Sequence, residues 1–111
     1  MTKLKSIDDA TFQQEVLESA APVIVEFWAQ WCPPCKLVAP LVEELSGEYG
    51  ERVRFTKMNT DENYDVPAQL GIQSIPTLVI FQGGRELNRV VGYAPKPQLK
   101  RQIDRALGVT A

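Results

Sequence analysis

The sequence predicts an α/β fold with a central mixed β-sheet flanked by helices. Runs of β-branched and aromatic residues, typical of strands, alternate along the chain with segments whose apolar residues recur at helical spacing. A strand, a helix and a second strand in this order favour a parallel crossover, whereas Gly83-Gly84 between two later strands indicates an antiparallel hairpin. The predicted order is β-α-β-α-β-α-β-β-α, in a single domain that covers residues 1–111.

The chain is expected to begin with a short strand and a helix, followed by a strand that is buried on both faces. The first strand is predicted near residues 4–7, and Asp8 or Asp9 could cap the helix that follows. Residues 23–29 are nearly continuous in β-branched and aromatic side chains, which predicts a central strand. The apolar face of the first helix carries Phe12, Val16 and Leu17.

A longer helix is predicted directly after the central strand. We expect it to begin at Pro34, with Pro33 just outside, because a residue that precedes proline resists the α conformation. Pro40 should kink this helix, since proline lacks the N–H group that the helical turn requires. Gly47 or Gly50 marks its end. Its apolar stripe consists of Leu37, Val38, Leu41, Val42 and Leu45.

The second half of the chain continues the alternation and closes with a hairpin and a helix. Residues 53–59 alternate in polarity as a strand, and a short helix over residues 63–70 ends at Gly71. Strands over residues 77–81 and 86–91 are expected to form the hairpin. The last helix has one apolar stripe, formed by Leu99, Ile103 and Leu107.

Composition excludes several classes of function. Hydrophobic residues make up 44% and charged residues 23%, which is typical of a globular protein rather than a disordered one. A net charge of -2 without a basic block argues against nucleic acid binding, and no apolar run has the length of a membrane span. The first residues show no export signal, so we expect a cytoplasmic protein that binds neither nucleic acid nor membrane. Histidine is absent, which excludes catalysis by a Cys-His or Ser-His-Asp set.

Cys32 and Cys35 are separated by two prolines at the predicted junction of strand and helix. Side chains three positions apart on a helical turn have Cβ atoms about 5–6 Å apart, which is compatible with a disulfide. A loop this small gains little stability from cross-linking, so the pair suits a redox switch better than a structural bridge. Two other interpretations remain: half of a zinc site, which would need ligands from elsewhere, and two inert buried thiols.

Three segments of the sequence resemble the thioredoxin family. The stretch "FWAQWCPPCK" resembles the family's F-W-A-x-W-C-G-P-C-K active site, "SIPTLVIF" its Ile-Pro-Thr segment and "RVVGY" its Val-Gly stretch. This resemblance extends over essentially the whole chain and implies the thioredoxin fold. It also implies a protein-disulfide reductase that acts on disulfide-containing client proteins and is recharged by a thioredoxin reductase, an NADPH-dependent flavoprotein. We expect a monomer with no cofactor or metal of its own.

The two cysteines have different predicted roles. Cys32 precedes the helix, so unpaired N–H groups and the positive end of the helix dipole favour its thiolate and make it the attacking nucleophile. The N–H groups of Cys35 and Lys36 are the expected donors. Cys35 lies in the first turn, is expected to be more enclosed, and is placed to attack the Cys32 sulfur as the resolving thiol. Pro33 stands where the family usually has glycine, which stiffens the loop.

Glu26 interrupts an otherwise apolar strand, where an unpaired charge would be costly. Alternation places Lys57 on the inward face of its own strand, so the two groups are expected to meet. The resemblance implies a catalytic role, because the family has an aspartate here that assists proton transfer to and from the resolving cysteine, with the lysine modulating it. A purely structural buried pair is the alternative. We expect burial to raise the pKa of Glu26 despite Lys57.

The resemblance also implies a client-binding surface around the cysteine pair. An X-Pro bond is cis in only about 5–6% of folded cases, so the residues alone favour trans at Ile75-Pro76. The family has a cis proline here, which leaves the preceding backbone free to bind an extended client segment, and we adopt the cis form. Trp28 is expected to pack in the core. The expected client surface comprises Trp31, Pro33, Pro34, Ile75, Pro76, Val91 and Gly92.

Two other functional classes fit parts of the sequence. A binding module would keep the fold and use its groove for association without turnover, and the intact cysteine pair argues against it. An oxidase or isomerase would use the C-P-P-C loop to donate or shuffle disulfides, and the missing export signal argues against that class.

Overall fold

A computed structural model describes residues 4–109, so the predicted domain of residues 1–111 extends slightly beyond this range at both ends. Within it the predicted order of elements is confirmed, with a single π-helical turn in place of the first helix. The elements are β1 (Lys5–Ser6), the π-helical turn (Gln13–Leu17), β2 (Val23–Trp28), α1 (Pro33–Tyr49), a 3₁₀ turn (Gly50–Arg52), β3 (Arg54–Asn59), α2 (Asp65–Leu70), β4 (Thr77–Gln82), β5 (Arg85–Val91) and α3 (Lys96–Leu107).

The five strands form one mixed sheet in the order β1-β3-β2-β4-β5. The two pairs on the N-terminal side, β1 with β3 and β3 with β2, are parallel, whereas β2 with β4 and β4 with β5 are antiparallel. The strand β2 therefore lies at the centre of the sheet, as its continuous apolar sequence predicts. This position fixes the end of β2, where the cysteine pair begins.

The core is divided into two layers by the sheet. On one face Ile24 of β2 packs with the buried stripes of α1 and α3. On the other face Val25 and Phe27 pack with the π-helical turn and α2. Because side chains alternate along a strand, Glu26 lies on the same face as Ile24, towards α1. The apolar face of the sheet that packs against α1 therefore carries the carboxyl group of Glu26.

The prediction that an aspartate caps the first helix is only partly right. The Asp8 carboxylate accepts a hydrogen bond from the Thr11 N–H at 2.9 Å and so closes the turn before the π-helical segment. Asp9 instead caps α2: its carboxylate accepts from the N–H groups of Tyr64, Asp65 and Val66 at 3.1, 3.0 and 2.8 Å. The first turn of α2 has no capping side chain of its own, so a residue 56 positions earlier in the chain supplies it.

The helix α1 begins one residue earlier than predicted. Cys32 is its N-cap in an extended conformation, with φ -94° and ψ 104°, so Pro33 and Pro34 occupy its first two positions. Proline fits there because the first N–H groups of a helix have no intrahelical partner, and this outweighs the restriction that Pro34 places on Pro33. The helix continues through Pro40 and ends at Gly50, with φ 60°, rather than at Gly47. The kink at Pro40 stays a prediction.

Contacts with α3 anchor the C-terminal half of α1. The buried Tyr49 hydroxyl donates a hydrogen bond to the Asp104 carboxylate. Burial, together with this negative neighbour, raises the pKa of Tyr49. On the surface the Lys96 ammonium lies 2.9 Å from a Glu44 carboxylate oxygen and 2.5 Å from one of Glu48. These contacts hold the end of α1 that is remote from the cysteines.

The predicted hairpin between β4 and β5 is confirmed. Gly83 and Gly84 both have positive φ, 63° and 78°, which is the conformation of a tight two-residue turn between antiparallel strands. A Cβ atom on Gly84 would lie 3.1 Å from the Leu17 carbonyl oxygen, so the turn also packs closely against the π-helical segment.

None of the helices within residues 4–109 has the length and apolar character that a membrane crossing requires.

The capping contact of Asp9 generates a stability prediction. Asp9→Ala removes the acceptor of three N–H groups at the start of α2 and should lower the free energy of unfolding by about 1–2 kcal/mol. Urea unfolding monitored by circular dichroism measures this change. Glu51→Ala, an equal change of charge at an exposed position, should unfold at nearly the wild-type urea concentration. Equal midpoints for the two variants would contradict the capping role.

Candidate active site

The cysteine pair lies where the central strand passes into α1. Cys32 and Cys35 form a disulfide with their Cα atoms 5.3 Å apart, within the range expected for a bridge that closes with little backbone movement. The Cys35 N–H donates a hydrogen bond to the Cys32 sulfur at 3.2 Å, as the sequence predicts. The Lys36 N–H donates to the Cys32 carbonyl oxygen instead, at 3.3 Å, so its expected role as a donor to the sulfur is wrong.

The two cysteines are equally buried, contrary to the expectation that Cys35 is the more enclosed. Each has 2% of its surface exposed. The disulfide holds both sulfurs together at the start of the helix, and Ala29 and Ile75 pack against them. Both cysteines are therefore largely shielded from solvent in this oxidised form.

The loop before β4 packs against the cysteine pair through Ile75. The Ile75-Pro76 peptide bond is cis, which confirms the expectation taken from the family resemblance. The Ile75 carbonyl oxygen lies 3.7 Å from the Cys32 sulfur; since a disulfide sulfur carries no proton, this is a contact and not a hydrogen bond. The Gly92 N–H donates to the Pro76 carbonyl oxygen at 2.7 Å. Gly92 has φ 85°, a left-handed conformation that favours glycine.

Several residues of the expected client surface are open to solvent. Trp31 is 66% exposed and Val91 is 59% exposed, and both prolines between the cysteines are also exposed. The Trp31 indole N–H donates to the Asp61 carboxylate at 3.1 Å, which fixes the orientation of the ring. Ile75 and Trp31 line one groove of about 310 Å³ together with the exposed Tyr64.

Sequence reasoning missed Asp61 and Tyr64. Both lie between β3 and the start of α2, and neither stands in a recognisable motif. Asp61 meets Trp31 across 30 residues of sequence, so no local pattern could reveal the contact. The only available signal was their position directly after a strand that pairs in parallel with β2, because neighbouring parallel strands end at the same edge of a sheet.

Glu26 lies behind the cysteine pair and is almost completely buried, with 3% of its surface exposed. Lys57 is its partner in the register of β2 and β3, so the two residues are adjacent, as expected. Among the ion pairs of residues 4–109, none joins these two groups. The Lys57 ammonium lies instead 5.2 Å from the centroid of the Trp28 ring, a distance suited to a cation–π contact.

Burial raises the pKa of Glu26 to about 7, the direction that the sequence predicts. The positive charge of Lys57 opposes this shift, and the negative charge of Glu43 adds to it. Desolvation prevails because the carboxyl group has no ion pair to offset the loss of water. Glu26 therefore titrates near neutral pH, where it can both accept and release a proton.

Glu26, Lys57 and Cys35 line one cavity of about 170 Å³ between the sheet and α1. Trp28 lines it as well and packs beside the cysteine pair, so it belongs to the surroundings of the site and not only to the core. Its buried indole N–H has no hydrogen-bond partner within residues 4–109. Glu43 also lines this cavity, and sequence reasoning missed it. The available signal was its place eight residues after Cys35, on the same face of α1.

The contacts of the two cysteines and of Glu26 determine which reactions the site can support. A disulfide at a helix N-terminus can open and close by exchange, and the N–H donor at its first sulfur favours a thiolate there. The carboxyl group behind its second sulfur can exchange protons near neutral pH. The arrangement is suited to thiol–disulfide exchange.

Comparison with known proteins agrees with this chemistry. The family model for thioredoxin matches residues 3–105. Thioredoxin 1 of Synechococcus elongatus is 50% identical over 107 residues, covering 96% of this chain and 100% of that protein. Thioredoxin 1 of a Nostoc species is 48% identical with the same coverage. The chloroplastic M-type thioredoxin of Chlamydomonas reinhardtii is 42% identical over 102 residues, covering 92% of this chain and 73% of that protein.

The expected thioredoxin fold is thereby confirmed, including the mixed sheet and the helices that flank it. Identity at this level, over nearly the full length of the chain, also favours a redox protein over the binding module that the sequence left open. The chain belongs to the thioredoxin family, and through Cys32 and Cys35 it is a thiol–disulfide oxidoreductase that acts on protein disulfides.

Proposed function

We propose that this oxidoreductase works in the reducing direction, with Cys32 as the attacking nucleophile and Cys35 as the resolving thiol. The hydrogen bond of 3.2 Å from the Cys35 N–H to the Cys32 sulfur carries the assignment of the two roles, and the thioredoxin family match supports the direction. Cys32 is also the N-cap of a helix of 17 residues, where the positive end of the dipole favours a negative sulfur. No equivalent donor acts on Cys35 among the hydrogen bonds of residues 4–109.

The reaction then proceeds in two exchanges. The Cys32 thiolate attacks one sulfur of the client disulfide, forms a mixed disulfide and displaces the other client sulfur as a thiolate. Cys35 loses its proton and attacks the Cys32 sulfur, which forms the disulfide seen here and releases the second client sulfur. Two electrons pass to the client, and the protein is left oxidised.

Glu26 is proposed as the proton acceptor for Cys35 in the second exchange. Both residues line the same cavity, and a carboxyl group with a pKa of about 7 can take a proton from a thiol and return it near neutral pH. Lys57 contributes by opposing the shift in the pKa of Glu26. Glutamate is one methylene longer than the aspartate of the family resemblance, and the cavity leaves room for a water molecule between the groups.

The client segment is proposed to bind in extended form beside the disulfide. Ile75 packs against the cysteines with its carbonyl oxygen 3.7 Å from the Cys32 sulfur, and the cis Pro76 follows it. An extended chain at this position can form backbone hydrogen bonds while its cysteine reaches Cys32. The remaining members of this surface are the exposed Trp31, Pro33, Pro34 and Val91, together with Gly92.

The surroundings of the reaction are part of the same proposal. Residues 1–111 form one domain that acts as a monomer in the cytoplasm. A reducing compartment suits a protein that must itself return to the dithiol form. An NADPH-dependent flavoprotein, a thioredoxin reductase, supplies the electrons. The match of the thioredoxin family model to residues 3–105 supports the single domain and the reductase partner.

The nucleophile assignment predicts the effect of Cys32→Ser. With dithiothreitol as electron source, wild-type protein should reduce the disulfides of a generic client, and Cys32→Ser should lower this activity to the uncatalysed rate because serine cannot form the mixed disulfide. The assay follows the release of client thiols over time. Wild-type turnover in this variant would contradict the assignment. Client binding without reduction by wild-type protein would favour a binding module.

The resolving role predicts the effect of Cys35→Ser. This variant keeps the first exchange and loses the second, so mixed disulfides with clients should accumulate at Cys32. Mass spectrometry after non-reducing capture locates each link. Cys32→Ser is the matched control. It should capture no client, because in the two-step order only Cys32 attacks the client disulfide. Equal capture by both variants would contradict that order.

The buried carboxyl group predicts a pH-dependent stability. The folded pKa of Glu26, about 7, exceeds the ordinary value of 4.5, so its stabilising contribution is fully present below pH 4.5 and is lost as pH rises through 7. The loss should reach about 3 kcal/mol at most. Glu26→Gln should remove this dependence, as measured by urea unfolding between pH 4 and about 8.

The same variant tests the proton-transfer role. Glu26→Gln should slow resolution of the mixed disulfide by about a hundredfold, while attack by Cys32 changes less, because only the second exchange needs the carboxylate. Stopped-flow measurement separates the two exchanges. Glu51→Gln, an exposed change of equal charge, is the control and should leave both rates unchanged. Unchanged resolution in Glu26→Gln would make Glu26 a structural residue.

A further inference from the structure

The cavity behind the disulfide extends beyond Glu26. Its volume of about 170 Å³ gives room for several water molecules, since each occupies about 30 Å³ in the liquid. Its polar lining includes Glu26 from β2, Lys57 from β3, and Lys36 and Glu43 from α1. The lining is otherwise mainly apolar, and these charged groups are the polar partners that an ordered water inside it would need.

Three of the residues of α1 that line the cavity recur at regular intervals along the helix. Cys35, Ala39 and Glu43 follow one another at intervals of four residues and therefore form one stripe along the helix. Cys35 and Glu43 are about 12 Å apart along the axis. Ala39, between them, carries a single methyl group, so the helix leaves open space where Glu26 approaches from the sheet.

Burial decreases along this stripe. Cys35 and Glu26 are 2% and 3% exposed, whereas Glu43 is half-buried. The cavity therefore reaches from the buried Cys35 and Glu26 to groups in contact with solvent, the half-buried Glu43 and the exposed Lys36. The charge of Glu43 also acts on Glu26, because it adds to the rise in the pKa of Glu26.

We propose that Glu43 is a positioning residue at the outer end of this cavity and relays the proton of the resolving step between Glu26 and solvent. The inference rests on the proposed role of Glu26. In that step the S–H bond of Cys35 breaks and its proton passes to Glu26. The bond between Cys35 and Cys32 forms, and the client sulfur leaves as a thiolate that takes a proton from solvent. Glu26 can take this proton only as a carboxylate, so a proton that it already carries must first pass through cavity water to the Glu43 carboxylate and from there to bulk water, and the same route empties Glu26 after the step.

The other charged groups of the cavity are less suited to this relay. Lys36 and Lys57 are ammonium groups, which donate hydrogen bonds and have no lone pair to accept a proton. Lys57 also faces the Trp28 ring, at 5.2 Å from its centroid. Glu43 is the acceptor on the α1 wall, and its neighbour Glu44 pairs with Lys96 on α3 at 2.9 Å, away from the cavity.

The test compares Glu43→Gln with Glu44→Gln in the full chain, since both remove one negative charge from adjacent positions of α1. Resolution of a mixed disulfide with a model client peptide is measured by stopped flow between pH 5 and about 9. Glu43→Gln should slow resolution by about tenfold at pH 7, whereas Glu44→Gln should match wild type. Removing the neighbouring charge should also lower the pKa that governs the resolution rate. Glu43→Asp should restore most of the rate.

A double-variant comparison separates the relay from an independent effect. If Glu43 acts through Glu26, the double variant that carries both Glu26→Gln and Glu43→Gln should resolve the mixed disulfide at the rate of Glu26→Gln alone. Equal slowing by Glu43→Gln in both backgrounds, or equal rates for Glu43→Gln and Glu44→Gln, would overturn the relay. Slow resolution in Glu26→Gln with a normal rate in Glu43→Gln overturns the relay and leaves the proposed function intact. A normal rate in Glu26→Gln overturns the role of Glu26 and the relay with it.

Discussion

The active site depends on the hydrogen bond between the Cys35 N–H and the Cys32 sulfur. It forms because Cys32 is the N-cap of α1, in an extended conformation that ends the strand connection and begins the helix. A cysteine at this position meets N–H groups that have no helical partner, and these favour a negative sulfur. The sheet supports the arrangement, since β2 lies at its centre and holds the start of the helix in place. Contacts with α3 hold the other end.

The burial of Glu26 lowers the stability of the fold at neutral pH and raises the pKa of its carboxyl group. A carboxyl group on the inner face of a central strand loses its hydration, and Lys57 does not form an ion pair that would offset the loss. Its pKa rises to about 7, so the protein is less stable at neutral pH than an uncharged side chain would make it. The same shift is what the proposed role of Glu26 in proton transfer to and from Cys35 requires.

The surface beside the disulfide is assembled from distant parts of the chain. Trp31 is oriented by Asp61, and α2, which contributes to the neighbouring groove, is capped by Asp9. The Gly92 N–H holds the backbone of the cis Pro76. Each contact joins residues that lie far apart in sequence, so one substitution in a loop can change the proposed client surface without touching a cysteine.

The sequence by itself determined the order of the elements, the cysteine pair and the direction of the Glu26 pKa shift. These follow from periodicity, from the spacing of Cys32 and Cys35, and from a lone carboxylate in an apolar strand, all of which are local. Only the tertiary structure decided that Asp9 caps α2, that Lys57 faces Trp28 and that Glu43 shares a cavity with Glu26. Such contacts depend on which strands pair and how a helix packs on them, and a short polar side chain has no sequence signal for a partner dozens of residues away.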